Sequence, residues 1–177
     1  MKHDQNYLNY YFGNVWYRNN GDLQQYGPTG LALVSKIQPQ EAVLDVGCGA
    51  NPFKGLIGDL TGIDPAFDQA DFKVTIEDFQ TERLFDVALC LGSINFGNVD
   101  IIENQIAKVI SLLKPQSRIY WRSNPGRRDH RNEECNEIDF YPWSIEEHVR
   151  LSDKFGYVLK ECMWDKNNRI YAEWHRK

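Results

Sequence analysis

Short apolar runs alternate along this chain with stretches whose apolar residues recur at helical spacing. Ala42–Val46 is an apolar run with one acid, Asp45, near its end. Phe85–Leu91 has almost no polar residue inside it. Both read as strands buried on two faces. Thr61–Asp64, Phe72–Thr75 and Ile119–Ser123 are shorter strand candidates. Between them, Leu31, Val34 and Ile37 mark one side of a helix over Thr29–Gln38 that stops before Pro39. Ile102, Ile106, Val109 and Leu113 mark a second, with Asp100 and Glu103 as its cap and Lys114-Pro115 as its stop. Ser144 with Glu147 forms a capping box for a third, which runs to Phe155 and ends at Gly156. Tyr157–Met163 and Arg169–Trp174 flank Asp165–Asn168 as a hairpin. Asn124–Trp143 is charged and irregular, and ends in Phe140, Tyr141 and Trp143. Strands alternating with helices predict an α/β, doubly wound, mostly parallel sheet covered on both faces, closed by an antiparallel hairpin.

The candidate chemistry begins where the first long strand ends. Val43–Gly55 reads VLDVGCGANPFKG. Gly47 and Gly49 allow a sharp turn and close approach of a ligand, since neither carries a Cβ. Asn51 stands at an N-cap position and Pro52 at the first helical position, so a helix is predicted from Pro52, weakened by Gly55 and Gly58. Such a helix start would welcome a carboxylate or phosphate. Leu60–Pro65 (LTGIDP) then ends a strand in Asp64, at the spacing where a Rossmann turn places the acid for a ribose hydroxyl pair. The dinucleotide fingerprint needs a third glycine, and Pro52 stands there instead.

DVGCGANPF followed by GIDP resembles the first two motifs of the class I S-adenosylmethionine-dependent methyltransferases. Ile76–Phe79 (IEDF), Phe85–Gly97 (FDVALCLGSINFG) and Leu112–Gly126 (LLKPQSRIYWRSNPG) resemble later motifs of the same family in the same order. The resemblance runs from about Thr29 to the C-terminus. It implies a Rossmann-like sheet of seven strands and S-adenosylmethionine as cofactor. Asn51-Pro52 departs from the more usual third glycine. By this resemblance Gly47, Cys48 and Gly49 would meet the methionine part, with Asn51 beside them. Asp45 would reach its ammonium, or else cap the turn as a structural acid. Asp64 and Pro65 would meet the ribose, unless Asp64 is a turn residue. Asp78 would accept from the adenine amino group with Phe79 beside the ring, unless Asp78 is an exposed loop acid. Leu91 and Gly92 would complete the cofactor wall. Ser93, Asn95 and Phe96 would face the acceptor, or form only a strand-to-helix loop.

Met1–Gly27 is polar and rich in rings, including Trp16, Tyr17 and Tyr26. Residues 1–28 read as an extension of a single domain spanning 1–177. They are either rings packed on the core or a lid over the acceptor site, where Trp16, Tyr17, Tyr141 and Trp143 would contact substrate. His130 and His148 read as surface histidines, and no cluster suggests a metal. No residue announces itself as a general base.

The chain has 177 residues, enough to bury about 70% of its unfolded surface. Its net charge is -5 and its pI 5.4, which argues against duplex nucleic acid as main partner. A small molecule or a protein side chain suits that charge as methyl acceptor, and the aromatics leave a nucleobase open. Cys48, Cys90, Cys135 and Cys162 are scattered, without a CxxC, and read as reduced thiols of a cytoplasmic protein. Neither a signal pattern nor a membrane-length apolar run is present. The expected function is methyl transfer. The alternatives are a cofactor-binding partner protein without turnover and a nicotinamide-dependent oxidoreductase.

Overall fold

Ala42–Val46 (β1) is buried at every position. It is the interior strand expected of a run with no solvent face. The computed structural model describes residues 4–16, 23–128 and 133–177. β1 is joined in one sheet by Asp59–Ile63 (β2), Phe85–Leu91 (β3), Leu113–Ser123 (β4), Tyr157–Trp164 (β5) and Ile170–Arg176 (β6), in the order β2-β1-β3-β4-β6-β5. β1 to β4 run parallel. The closing hairpin β5–β6 adds two antiparallel strands. The chain leaves β1 for β2 on one side and reaches β3 on the other. That reversal opens a crevice at the carboxyl ends of β1 and β3, where such sheets bind ligands.

The period-two alternation of the strands divides the core. Leu44, Val46, Ala88, Cys90 and Trp121 face helix α3 (Val99–Ser111) and helix α4 (Ile145–Lys154). Val43, Val87, Leu89 and Tyr120 face Leu23, Leu33 and Phe53 on the opposite side. Ser144 caps α4 by accepting from Glu147 N, as the capping box predicts. α3 starts from Asn98 rather than Asp100: the Asn98 side chain accepts from Ile101 N, and Asp100 lies in the first turn. The helix predicted over Thr29–Gln38 shortens to Leu31–Val34 (α2).

Two predicted elements do not form. The sheet has six strands, not seven, because residues 72–75 pair with β2 only through a bridge between Phe72 and Ile63. Asp71 explains this: its Oδ2 accepts from Gly62 N at 2.8 Å, occupying the donor that a longer strand would need. The helix predicted from Pro52 is a set of turns. Asn51 takes a left-handed φ of 56° and Gly55 one of 83°, and nine residues at most separate the glycine turn from β2. A left-handed residue interrupts an α-helix at its start. Asn51 is not a cap; its Nδ2 donates to Gln69 O at 3.2 Å.

Residues 4–16 pack over the sheet's carboxyl edge. Gln5–Tyr10 (α1) passes into a wider turn, Tyr11–Val15. Leu8 and Tyr11 pack there on Cys135, Ile138 and Phe140, with Phe12, Trp16 and Phe96 against them. Tyr7 Oη donates to Glu134 O at 2.9 Å. Tyr141 and Trp143, expected near the substrate, belong instead to the main core. Trp143 Nε1 donates to Ile94 O at 2.9 Å, and its ring stacks on His148 with centroids 4.5 Å apart. His148 is correspondingly not a surface histidine but fully buried, its Nε2 3.1 Å from Ser123 Oγ.

Candidate active site

A cavity of about 750 Å³ opens at the carboxyl ends of β1, β2 and β3. That volume suits one cofactor-sized ligand with room beside it. Asp45 is 2% exposed and lines it, and among the described residues nothing donates to its carboxylate. Burial and then the neighbouring Asp64 carboxylate push its pKa up to about 7. A cation brought against Asp45 would reverse both effects.

Gly47 follows at φ 67°. A Cβ there would lie 2.3 Å from Ser93 Cβ, so only glycine lets β1 and the loop after β3 meet. The turn does not offer its N–H groups to a ligand. Gly47 N and Cys48 N both donate to Ile63 O, at 2.8 and 3.0 Å, and Gly49 N donates to Asp64 Oδ2 at 2.9 Å. What the turn supplies is close approach. With the helix from Pro52 absent, no helix dipole contributes either.

Asp64 stands just past β2. It also accepts from Ala66 N at 2.8 Å and Phe67 N at 3.2 Å through Oδ1. Three of the roughly four lone-pair sites of a carboxylate are thus used by backbone. The remaining one allows a single further donor. Burial outweighs these bonds, so the Asp64 pKa is raised.

Cys48, Pro65, Leu91 and Gly92 line the cavity, as do Ser93, Asn95, Phe96 and Trp16. Cys48 Sγ is a protonated thiol, its pKa driven up by burial. Asn95 Oδ1 accepts from Asn124 N at 2.9 Å, which fixes the amide and its loop. Asn51, Asp78, Phe79, Tyr141 and Trp143 lie off the cavity wall. Asp78 is exposed and bonded through Oδ2 to Thr75 Oγ1 at 2.9 Å, while Phe79 is core. Glu77, one residue earlier, lines the wall in place of Asp78. Tyr17 and His130 lie outside the described residues.

Phe12 and Phe140, which belong to the two aromatic segments expected around the acceptor site, line the cavity, and so does Gln105, which the sequence did not single out. Phe12, Phe96 and Phe140 form a row, with centroids 5.4 Å apart at each step. Gln105 is the polar residue on the apolar stripe of α3, and that break in the stripe was its only signal. Arg122, bonded through Nε to buried Asp165 at 2.9 Å, closes the side toward β6.

No protein-family profile matches this chain, and no curated protein matches it significantly. Solved structures do match. Magnesium protoporphyrin IX methyltransferase from Synechocystis, with S-adenosylmethionine bound, has a TM-score of 0.70 at 16% identity over 100% of this chain and 99% of its own. The N-methyltransferase NodS from Bradyrhizobium japonicum, in complex with S-adenosyl-L-homocysteine, scores 0.69 at 16% identity over 98% and 99%. The 1,6-didemethyltoxoflavin-N1-methyltransferase from Burkholderia thailandensis, with 1,6-didemethyltoxoflavin and S-adenosylhomocysteine bound, scores 0.66 at 16% identity over 83% and 76%. The fold of this chain is therefore the methyltransferase-like α/β fold.

Proposed function

We propose that this chain is an S-adenosylmethionine-dependent methyltransferase acting on a small molecule or a protein side chain. The observation that carries the reading is the buried Asp45 carboxylate, without a donor, beside a glycine turn that a Cβ would close, in a fold shared with such enzymes. Asp45 would hold the cofactor's ammonium. Gly47, Cys48 and Gly49 would pass its methionine chain, Asp64 and Pro65 would meet one ribose hydroxyl, and Leu91 and Gly92 would close the wall. Glu77, not Asp78, lines the wall there. When bound, the cofactor would supply a methyl group activated by its sulfonium. The protein's own part is positioning and exclusion of water. Trp16, Phe12, Phe96 and Phe140 would wall the acceptor, and Ser93 and Asn95 would flank it.

No helix among the described residues is long and apolar enough to cross a membrane. A cytoplasmic location belongs to this reading, on four cysteines with no disulfide between them. Calorimetric titration tests the reading. S-adenosylmethionine and S-adenosylhomocysteine should both bind, and NAD much more weakly. NAD binding more tightly than S-adenosylhomocysteine would overturn it.

A further inference from the structure

Among the described residues, those that line the cavity with a charge are Asp45, Asp64, Glu77, Arg122 and Arg169. The strands sort them by sign. Asp45 is on β1, Asp64 stands just past β2, and Glu77 lies in the segment that follows. Arg122 is on β4, opposite Leu91 of β3, and Arg169 immediately precedes β6. Neighbouring strands lie about 4.8 Å apart, so two strand spacings, about 10 Å, separate β1 from β4. The cavity therefore has an acidic end and a basic end.

The basic end is held by the fold. Arg122 Nε donates to Asp165 Oδ2 at 2.9 Å, and its guanidinium lies over the Tyr26 ring, 5.4 Å from the centroid. Asp165 Oδ1 accepts from Arg169 N at 2.9 Å, and Arg169 Nη1 donates to Asn168 O at 3.2 Å. A guanidinium carries five N–H donors, so bonds that hold it in place and bonds to a ligand can coexist. The phenyl rings belong to the same end. Asn95, after β3, accepts from Asn124 N, after β4. Phe96 is bridged to Phe140 and stands between it and Phe12. The row thus lies along the ends of β3 and β4, on the Arg122 side of the cavity.

A cofactor seated on Asp45 and Asp64 leaves this end to the acceptor. We propose that the methyl acceptor is a small aromatic acid, its ring against Phe12, Phe96 and Phe140 and its anionic group at Arg122 and Arg169. This rests on the cofactor reading above. Aromatic side chains favour a flat apolar body. Guanidinium groups favour a carboxylate or phosphate over a neutral amide of the same shape, because the bonds they make to an anion are charge-assisted.

The test is calorimetric titration of the full chain, saturated with S-adenosylhomocysteine, with three probes: 2-naphthoate, 2-naphthyl phosphate and 2-naphthamide. At least one anion should bind about tenfold more tightly than the amide, the ratio that a charged partner adds to a neutral hydrogen bond. Which anion binds better tells carboxylate from phosphate. Arg169→Gln should cut that ratio to about threefold or less and leave affinity for the amide and for S-adenosylhomocysteine unchanged within about twofold. An amide that binds the wild type as tightly as both anions, or no binding by any probe, would overturn the assignment, and neither result needs a variant. So would a ratio that Arg169→Gln leaves at its wild-type value, or a variant that weakens all three probes equally, the mark of a residue that only shapes the hairpin. The preceding titration with S-adenosylhomocysteine separates the two readings. If that ligand binds and the probes show no preference for charge, this inference alone fails; if it does not bind, the cofactor reading fails and takes this one with it.

Discussion

Asp45 is where a single residue carries most of the chemistry. Its position in VLDVGCG was legible, because an acid at the end of an apolar strand is anomalous unless something pairs with it. Its isolation was not legible, since that depends on which donors the folded chain brings near. With its pKa at about 7, Asp45 should ionise when an ammonium arrives. Binding of S-adenosylhomocysteine should therefore release a proton below pH 7. Affinity should fall by up to tenfold per pH unit from 7 toward 5. Asp45→Asn should bind more weakly at pH 8 and lose that slope. Isothermal titration between pH 5 and 8 checks both, and a wild-type affinity flat over that range would remove Asp45 from the ammonium site. Asp64 was legible as a carboxylate at the end of β2, but its three backbone partners were not, and they reduce what it can offer a ribose.

At the scale of elements, the two aromatic segments part ways. The pattern of rings placed both near the carboxyl edge, and the fold sends only some of them to the cavity. Phe12 and Phe140 reach the wall, whereas Trp143 turns inward to stack on His148 and bond Ile94 O. Ring content could not make that division, because a strand-like segment presents alternate residues to opposite sides. Trp143→Ala should cost about 3–5 kcal/mol of stability, as truncation of a buried aromatic does. Phe12→Ala, at a half-buried ring over the cavity, should lower methyl transfer to the acceptor and leave S-adenosylhomocysteine affinity unchanged within about twofold, with a loss of stability below that of Trp143→Ala. Urea denaturation with cofactor titration of both variants decides this. A melting curve for Phe12→Ala displaced as far as that of Trp143→Ala would make α1 and its wide turn core rather than cover.

The molecule as a whole answers to pH through its buried titrating groups. His148 sits among Trp121, Trp143 and Trp174, and burial lowers its pKa to about 3. The unfolded chain takes up this proton near pH 6.5. The contribution of the neutral ring is thus fully present above pH 6.5 and is lost as pH falls toward 3, by at most about 1.4 kcal/mol per unit. Asp45 acts in the opposite sense. Its native carboxyl keeps a proton that the unfolded chain loses near pH 4, so its contribution falls as pH rises from about 4 to 7. His148→Phe keeps a ring in the stack and removes the acid titration. Its stability relative to wild type should rise steadily as pH falls from 6.5 to 4. Chemical denaturation at each pH measures this, and a difference independent of pH would mean that His148 is not held neutral.

The sequence by itself determined the strands of the parallel core, the glycine turn, the acid near the end of β1 and the acid just past β2, and the closing hairpin. Each of these follows from local chemistry: apolar runs that must be buried, a turn that excludes Cβ atoms, caps and turns written within a few residues. Tertiary structure alone decided the rest. Whether residues 72–75 complete a strand depended on Asp71 occupying Gly62 N. Whether Pro52 began a helix depended on the left-handed backbone at Asn51. Whether Asp78 or Glu77 faced the cavity depended on Thr75 and Gln105, the one a near neighbour and the other on a distant helix. Such choices are settled by which donors and acceptors meet once the chain has folded, and those meetings join residues whose separation leaves no periodic trace.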